Sequence, residues 1–163
     1  MPDELNIARL YQLHGHHVLR RARRLLASEE EARDVLQELF LSLVQAPQQF
    51  EQRSSVTTWL YSATTHLCLN RIRNRKNRER VLAAGMPEPA VASARAEEAV
   101  QASDLLAALP DELAQAAVYY YIDESTHEEI ARLMGCSRRH VGDLLARLKH
   151  RWALAEAEEK PPC

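Results

Sequence analysis

The chain has 163 residues, a formal net charge of -2, only 4 glycines and 3 widely separated cysteines. That length allows one ordinary domain or two small ones, and an odd, scattered cysteine set speaks against a disulfide framework. No apolar stretch approaches the ~20 residues of a membrane span and no signal-peptide core opens the chain, so a cytoplasmic location is expected.

Leu, Ala, Arg and Glu dominate, and these are strong helix formers. Alternating Val/Ile/Thr/Tyr runs joined by hairpin turns are missing, so the expected fold is all-α. The small net charge conceals an asymmetry. Residues 1–80 hold thirteen Lys/Arg against nine Asp/Glu, residues 81–125 one against eight, and the remainder seven against six. A basic front, an acidic middle and a mixed end predict two functional pieces and a connector.

In chain order, Ile7, Leu10, Tyr11, Val18, Leu25 and Leu26 recur at helical spacing. Ser28-Glu29-Glu30-Glu31 is a capping-box pattern, with acids in the first turn where the helix dipole favours them. Ala32, Val35, Leu36, Leu39, Phe40 and Leu43 then line one face of a second helix, which Pro47 ends. Its other face carries Asp34, Gln37 and Glu38. After a polar loop over 48–53, Ser54 and Ser55 can cap a third helix with the stripe Val56, Trp59, Leu60, Ala63 and Leu67. That helix runs on, with Ile72 as its last apolar contact, into NRIRNRKNRER, which holds Arg71, Arg73, Arg75, Lys76, Arg78 and Arg80 against one acid.

From Val81 to Ser103 the pattern dissolves into Ala, Glu, Gly85, Pro87 and Pro89, a connector by composition. Periodicity resumes at Leu105, Leu106 and Leu109, and Pro110-Asp111 opens a helix carrying Val118, Tyr121 and Ile122. A short helix over 128–134 turns its Ile130, Ala131 and Leu133 inward, Gly135 makes the turn, and Cys136 reads as a small buried residue. Ser137 caps a final helix with Val141, Leu144, Leu145, Leu148 and Trp152 on one stripe. Two helices joined by a Gly-containing turn predict a helix-turn-helix. The early residues of the second, Arg138, Arg139 and His140, would then point into the major groove. The expected division is 1–82 for the first domain, 83–103 for the connector, 104–155 for the second domain and 156–163 for a tail.

The stretches ARDVLQELFLSLVQAPQQF and SSVTTWLYSATTHLCLNRIRNR resemble region two of bacterial sigma factors. LPDELAQAAVYYYIDESTHEEIARLMGCSRRHVGDLLARLKHRW resembles region four. A chain holding both with a short connector is similar to the extracytoplasmic-function (ECF) sigma factors, dissociable promoter-recognition subunits of RNA polymerase. The resemblance implies that Asp34, Gln37 and Glu38 dock on the clamp of the polymerase's largest subunit, which charge-assisted hydrogen bonds to arginines would suit. It implies promoter melting and capture of a flipped base by Phe50, Tyr61 and His66, since aromatic walls can return ~1–3 kcal/mol of lost stacking. Phe50 reads equally as an ordinary core plug, and Trp59 is core by its helical phase.

The same resemblance places Arg71, Arg73, Arg75, Lys76 and Arg78 on duplex phosphates, where counterion release makes affinity fall with salt. A merely solvated helix face would mix Glu with Arg at i,i+4, and this one does not. Ser137, Arg138, Arg139, His140 and Arg147 form the implied upstream-element surface. Implied partners are core polymerase through clamp and flap, promoter DNA and an anti-sigma protein, with no membrane insertion and no cofactor. The chain itself is expected not to be an enzyme, because phosphodiester synthesis belongs to the polymerase.

Several residues depart from the family pattern. His66 stands for the usual Asn, Ser62 and Thr65 for common arginines, and Glu124 and His127 for small or hydroxyl residues. Val141-Gly142-Asp143-Leu144-Leu145 replaces the frequent V-K-S-R-L, which implies weaker or altered upstream-element binding. His14-x-His16-His17 invites a metal reading, but its helical phase sends His14 and His17 to one face and His16 to another, and no Cys is near. Two alternatives stand beside the sigma reading: a helix-turn-helix regulator without polymerase binding, and a sigma-like module that only titrates a partner.

Overall fold

The computed structural model of the protein describes residues 6–50, 55–82 and 94–159. Expectations that fall on residues 51–54, on 83–93 or on the terminal segment with Cys163 lie outside the described residues. Among the described residues every regular element is helical, and the chain divides into two compact units, Met1–Ala108 and Leu109–Cys163.

In the first unit, α1 (Ile7–Leu26) is capped by Asn6, whose Oδ1 accepts from the Arg9 N–H at 3.0 Å. It ends at Ala27, which takes the left-handed conformation (φ 51°). α2 (Glu29–Gln45) starts at Ser28, whose Oγ accepts from the Glu31 N–H at 3.3 Å. The Glu31 carboxylate of the expected capping box instead pairs with Arg75. Pro47 stops α2 and opens a 3₁₀ turn, Pro47–Gln49. The core gathers Val18 from α1, Leu36, Leu39, Phe40 and Leu43 from α2, and Leu60 from α3 (Val56–Leu82).

α3 is capped by Ser55, whose Oγ accepts from the Thr58 N–H at 3.2 Å. Its buried positions are Leu60, Thr64, Thr65, Cys68, Leu69 and Ile72, while Val56, Trp59, Ala63 and Leu67 of the predicted stripe are only partly buried. The difference has a packing cause: α3 touches both α1 and α2, so its buried arc is wider than one stripe and takes in two threonines. Each hydroxyl is satisfied one turn back, Thr64 to Leu60 O at 2.6 Å and Thr65 to Tyr61 O at 2.9 Å. Arg21 of α1 is buried against this face. Its Nε and Nη2 donate to Thr65 Oγ1 at 3.1 and 2.8 Å, and its guanidinium lies 3.6 Å from the centre of the Tyr61 ring. Hydrogen bonds and an aromatic face offset the cost of taking that cation out of water. Burial pushes the Cys68 thiol up to about 12, so it stays protonated and unreactive near neutral pH.

The connector predicted over 83–103 is helical from Ala94 onward. α4 (Ala94–Ala107) packs on α3, with Asp104 paired to Lys76. Its Ala- and Glu-rich composition lacks an apolar stripe but has high intrinsic helix propensity, which outweighs the missing periodicity.

In the second unit, α5 (Asp111–Ala117) continues as a π-helical turn, Val118–Ile122. Val118 and Tyr119 are buried there, while Tyr121 is exposed and rests against Trp152 with ring centres 5.1 Å apart. Glu124 follows with φ 52°, a left-handed position that a side chain makes costly. α6 (His127–Met134) has a full capping box: Thr126 Oγ1 accepts from the Glu129 N–H at 3.2 Å, and Glu129 Oε2 accepts from the Thr126 N–H at 2.7 Å. Gly135 (φ 64°) ends it, and the Cys136 N–H donates back to Ala131 O at 3.0 Å. Cys136, expected to be buried, is half-buried at this turn. α7 (Arg138–Glu159) buries Val141, Leu144, Leu145 and Leu148. α5 and α6 both pack on α7, which completes the predicted helix-turn-helix.

Gly142 sits inside α7 with nothing within 4 Å of the place a Cβ would occupy. Gly142→Ala should therefore raise the stability of the second unit by about 1 kcal/mol in urea unfolding. A loss of stability would contradict this open-space geometry.

Candidate functional site

Regular helix geometry puts Asp34, Gln37 and Glu38 on one exposed face of α2, because positions three and four apart are neighbours on a helix. The face is tied to α3. Arg71 reaches across with Nη2 2.8 Å from Glu38 Oε2 and Nη1 3.6 Å from Asp34 Oδ2. One turn on, Arg75 pairs with Glu31 and donates to the last carbonyl of α1, Leu26 O, at 3.5 Å. Lys76 is paired with Asp104, chiefly by a hydrogen bond that raises its pKa from the ordinary lysine value, and lies 3.8 Å from Glu79.

The expectation that this basic run lacks interleaved acids therefore needs correction. Glu79 stands within the run, 3.8 Å from Lys76, and the other carboxylates come from α2 and α4. Arg71, Arg75 and Lys76 brace the unit, whereas Arg78 and Arg80 make no ion pair among the described residues. Arg78 and Arg71 also flank an open groove of about 660 Å³, lined besides by Glu38, Asn70, Asn74 and Asn77. The three asparagines were not singled out from sequence. Their spacing at i, i+4 and i+7 was the available signal.

Phe50, Tyr61 and His66 are not brought into one pocket. Tyr61 looks towards α1, where it carries Arg21 on its ring and lines a small cavity of about 50 Å³ with His14, His17 and Thr57. His66 lies on the opposite side of α3, in a cleft of about 430 Å³ that also holds Gln49, Trp59, Ser62 and Ser42. Desolvation there lowers the His66 pKa from the ordinary imidazole value. Phe50 meets Trp59 edge-on, with ring centres 6.1 Å apart, so Trp59 is half core and half cleft wall. Five residues along a helix turn the side chain by more than a third of a revolution, which separates Tyr61 from His66. Of the histidines, His14 and His17 do share a side, with ring centres 6.5 Å apart, and His16 lies 3.8 Å from His17. Desolvation, then the charges of His16, His14 and Arg20, lowers the His17 pKa.

On the helix-turn-helix, Ser137 is used as a cap, its Oγ accepting from the His140 N–H at 3.1 Å. Arg138 lies 3.6 Å from Glu128, and His140 Nε2 sits 2.5 Å from Glu112 Oε1 of α5. Arg139 and Arg147 are exposed and make no hydrogen bond or ion pair among the described residues. Asp143, between them, is equally uncommitted. Three of the five expected contact residues thus spend polar groups on their own unit.

Two family models match the chain, Sigma-70 region 2 over residues 10–78 and Sigma-70, region 4 over residues 99–150. The chain is similar to the ECF RNA polymerase sigma factor SigM of Mycobacterium tuberculosis (strain ATCC 25618 / H37Rv), 26% identical over 151 residues that cover 93% of this chain and 77% of that protein. It is also similar to the ECF RNA polymerase sigma factor SigW of Bacillus subtilis (strain 168), 27% identical over 149 residues, covering 81% and 79%. Among solved structures, the sigma factor RpoE in complex with the anti-sigma factor NepR from Bartonella quintana shares the fold, with a TM-score of 0.53 at 16% identity over 95% of this chain and 99% of that one.

The side chains of Arg71 and Glu38 are 29% and 51% exposed, so their pairing should contribute little to stability. A double-mutant cycle of Arg71→Ala and Glu38→Gln is expected to give a coupling of about 0.2–1 kcal/mol that shrinks in high salt. A salt-independent coupling well above that range would mean that the seam is effectively buried.

Proposed function

The chain belongs to the sigma-70 family of RNA polymerase sigma factors, in its ECF group, and from that premise we propose how its residues share promoter-specific initiation. The carrying observation is the exposed acid–amide face of α2, Asp34, Gln37 and Glu38, in a chain that also holds a helix-turn-helix. A rigid face of two carboxylates and an amide suits a basic surface on core polymerase. A plain regulator has no use for it, which disfavours that alternative. Arg71 is a positioning residue here, holding Asp34 and Glu38 in register.

Arg78 and Arg80 are the phosphate contacts of the first unit, with the asparagine-lined groove beside them. Arg73 is kept as a third contact. The base-capture pocket is the cleft around Trp59, Ser62 and His66, with Phe50 at its aromatic edge. An extruded base could stack on Trp59 and hydrogen-bond to the Ser62 hydroxyl or the His66 ring. Tyr61, with one ring face occupied by Arg21, is support for the α1–α3 contact rather than a pocket wall. In the second unit Arg139 and Arg147 are the uncommitted cations for the upstream element, with Arg138 and His140 joining if they leave their carboxylate partners.

An anti-sigma protein is a proposed partner, as RpoE of Bartonella quintana has in NepR. No helix among the described residues is long and apolar enough to cross a membrane, which suits work beside polymerase in the cytoplasm. Bond-making chemistry is assigned to the polymerase.

Run-off transcription with purified core polymerase tests the assignment. Wild type should start transcripts at a defined site, and Asp34→Arg should abolish both polymerase binding and initiation. The Arg78→Ala/Arg80→Ala variant should keep polymerase binding while lowering the salt slope of promoter binding by roughly 1–2. DNA binding by the chain alone, with no redirection of polymerase, would return the regulator reading.

A further inference from the structure

Asp143 is the residue that the phosphate-gripping account does not absorb. It is the sixth residue of α7, on the exposed face opposite Val141, Leu144 and Leu148. Arg139 lies one turn before it and Arg147 one turn after, so the face reads cation, anion, cation at i, i+4 and i+8. Spacing of this kind normally lets a carboxylate pair with its neighbours. Here it pairs with neither, and all three side chains stand free of hydrogen bonds and ion pairs among the described residues. The other polar residues at this end of α7 are committed: Ser137 to the helix cap, Arg138 to Glu128 and His140 to Glu112.

A carboxylate on a helix that enters a major groove meets phosphates on either side, which repel it, and base edges ahead of it, which need not. Cytosine presents an N4 amino donor there, and Asp or Glu accepts from it. Guanine presents two acceptors and would reject a carboxylate. Adenine places its N7 acceptor beside its amino group, so it is second best. Aspartate is short, and reaching a base edge requires the helix to sit deep. Gly142 beside it leaves the backbone bare, with nothing within 4 Å of where a Cβ would be. Arg139, uncommitted and one turn nearer the helix start, has the geometry for guanine O6 and N7. A four-residue step is about 6 Å along the axis, close to two base-pair steps.

We propose that Asp143 is a specificity-determining residue that reads a cytosine in the upstream element, one or two base pairs from a guanine read by Arg139. The inference rests on α7 being the recognition helix, and it gives the sequence departure at Gly142-Asp143 a positive role instead of a loss of grip.

The test uses holoenzyme assembled from the full chain and core polymerase, selected on a promoter library with the upstream element randomised. Wild type should favour cytosine roughly 10-fold over guanine at one position, with guanine preferred within two base pairs of it. Asp143→Ala should level the preference at the cytosine position alone. Asp143→Asn should move it to adenine, which an amide contacts through N6 and N7. Arg139→Ala should level only the guanine position.

Uniformly tighter binding by Asp143→Ala, with every base preference unchanged, would show that Asp143 merely repels phosphate and would overturn the inference while leaving the recognition helix in place. If wild-type holoenzyme initiates but selects no upstream sequence, the recognition-helix reading fails and the inference falls with it.

Discussion

The first unit is organised around a charged seam between two helices. α2 must bury Val35, Leu36, Leu39 and Phe40, which leaves Glu31, Asp34 and Glu38 on its flank, towards α3. α3 must bury Leu60, Cys68, Leu69 and Ile72, which brings Arg71 and Arg75 to the same line. The apolar packing sets the distance and the ion pairs set the register. The Arg71 pairs have half-exposed carboxylates and are individually weak, so that part of the seam orients side chains more than it stabilises the fold. What it orients is the acid–amide face proposed to meet polymerase, and what it uses up is part of the positive charge that the sequence alone offered to DNA.

A second buried contact fixes the opposite side of α3. Arg21 cannot be buried without acceptors, and Thr65 and the Tyr61 ring supply them. The resemblance made Thr65 a missing arginine and Tyr61 an aromatic for a base. Packing gives both a different first duty, with the cation arriving from α1 instead of from α3. The cleft around Trp59, Ser62 and His66 is a concave surface on another side of α3, and its volume of about 430 Å³ leaves room for a base.

Much of this was legible in sequence because it depends on period and on punctuation. Helical spacing located α2, α3 and α7, Pro47 ended α2, Ser55 and Ser137 marked caps, and Gly135 marked the turn. Three things were not legible, each for a physical reason. α4 has no apolar stripe, so periodicity is silent where propensity is not. The α2 and α4 carboxylates that pair with Arg71, Arg75 and Lys76 lie 28 to 44 residues away in sequence, and only tertiary packing brings them together. The separation of Tyr61 from His66 depends on which faces of α3 touch α1 and α2, and a list of residue types does not encode that.

The same accounting explains how a chain of net charge -2 can be a promoter-binding protein. In each unit several of the basic side chains near the proposed DNA face are engaged by carboxylates of their own unit, Arg71, Arg75 and Lys76 in the first and Arg138 and His140 in the second. Each surface by itself is then a weak, salt-sensitive grip on a duplex. Two weak grips on one chain become a strong one when both are held against the same DNA, because the second contact forms at high effective concentration. The proposed polymerase-docking face of α2 would supply such a constraint. Low intrinsic affinity is thus compatible with a subunit that selects promoters only as part of an assembly, and it limits unproductive binding to the bulk of the genome, where nonspecific sites vastly outnumber promoters.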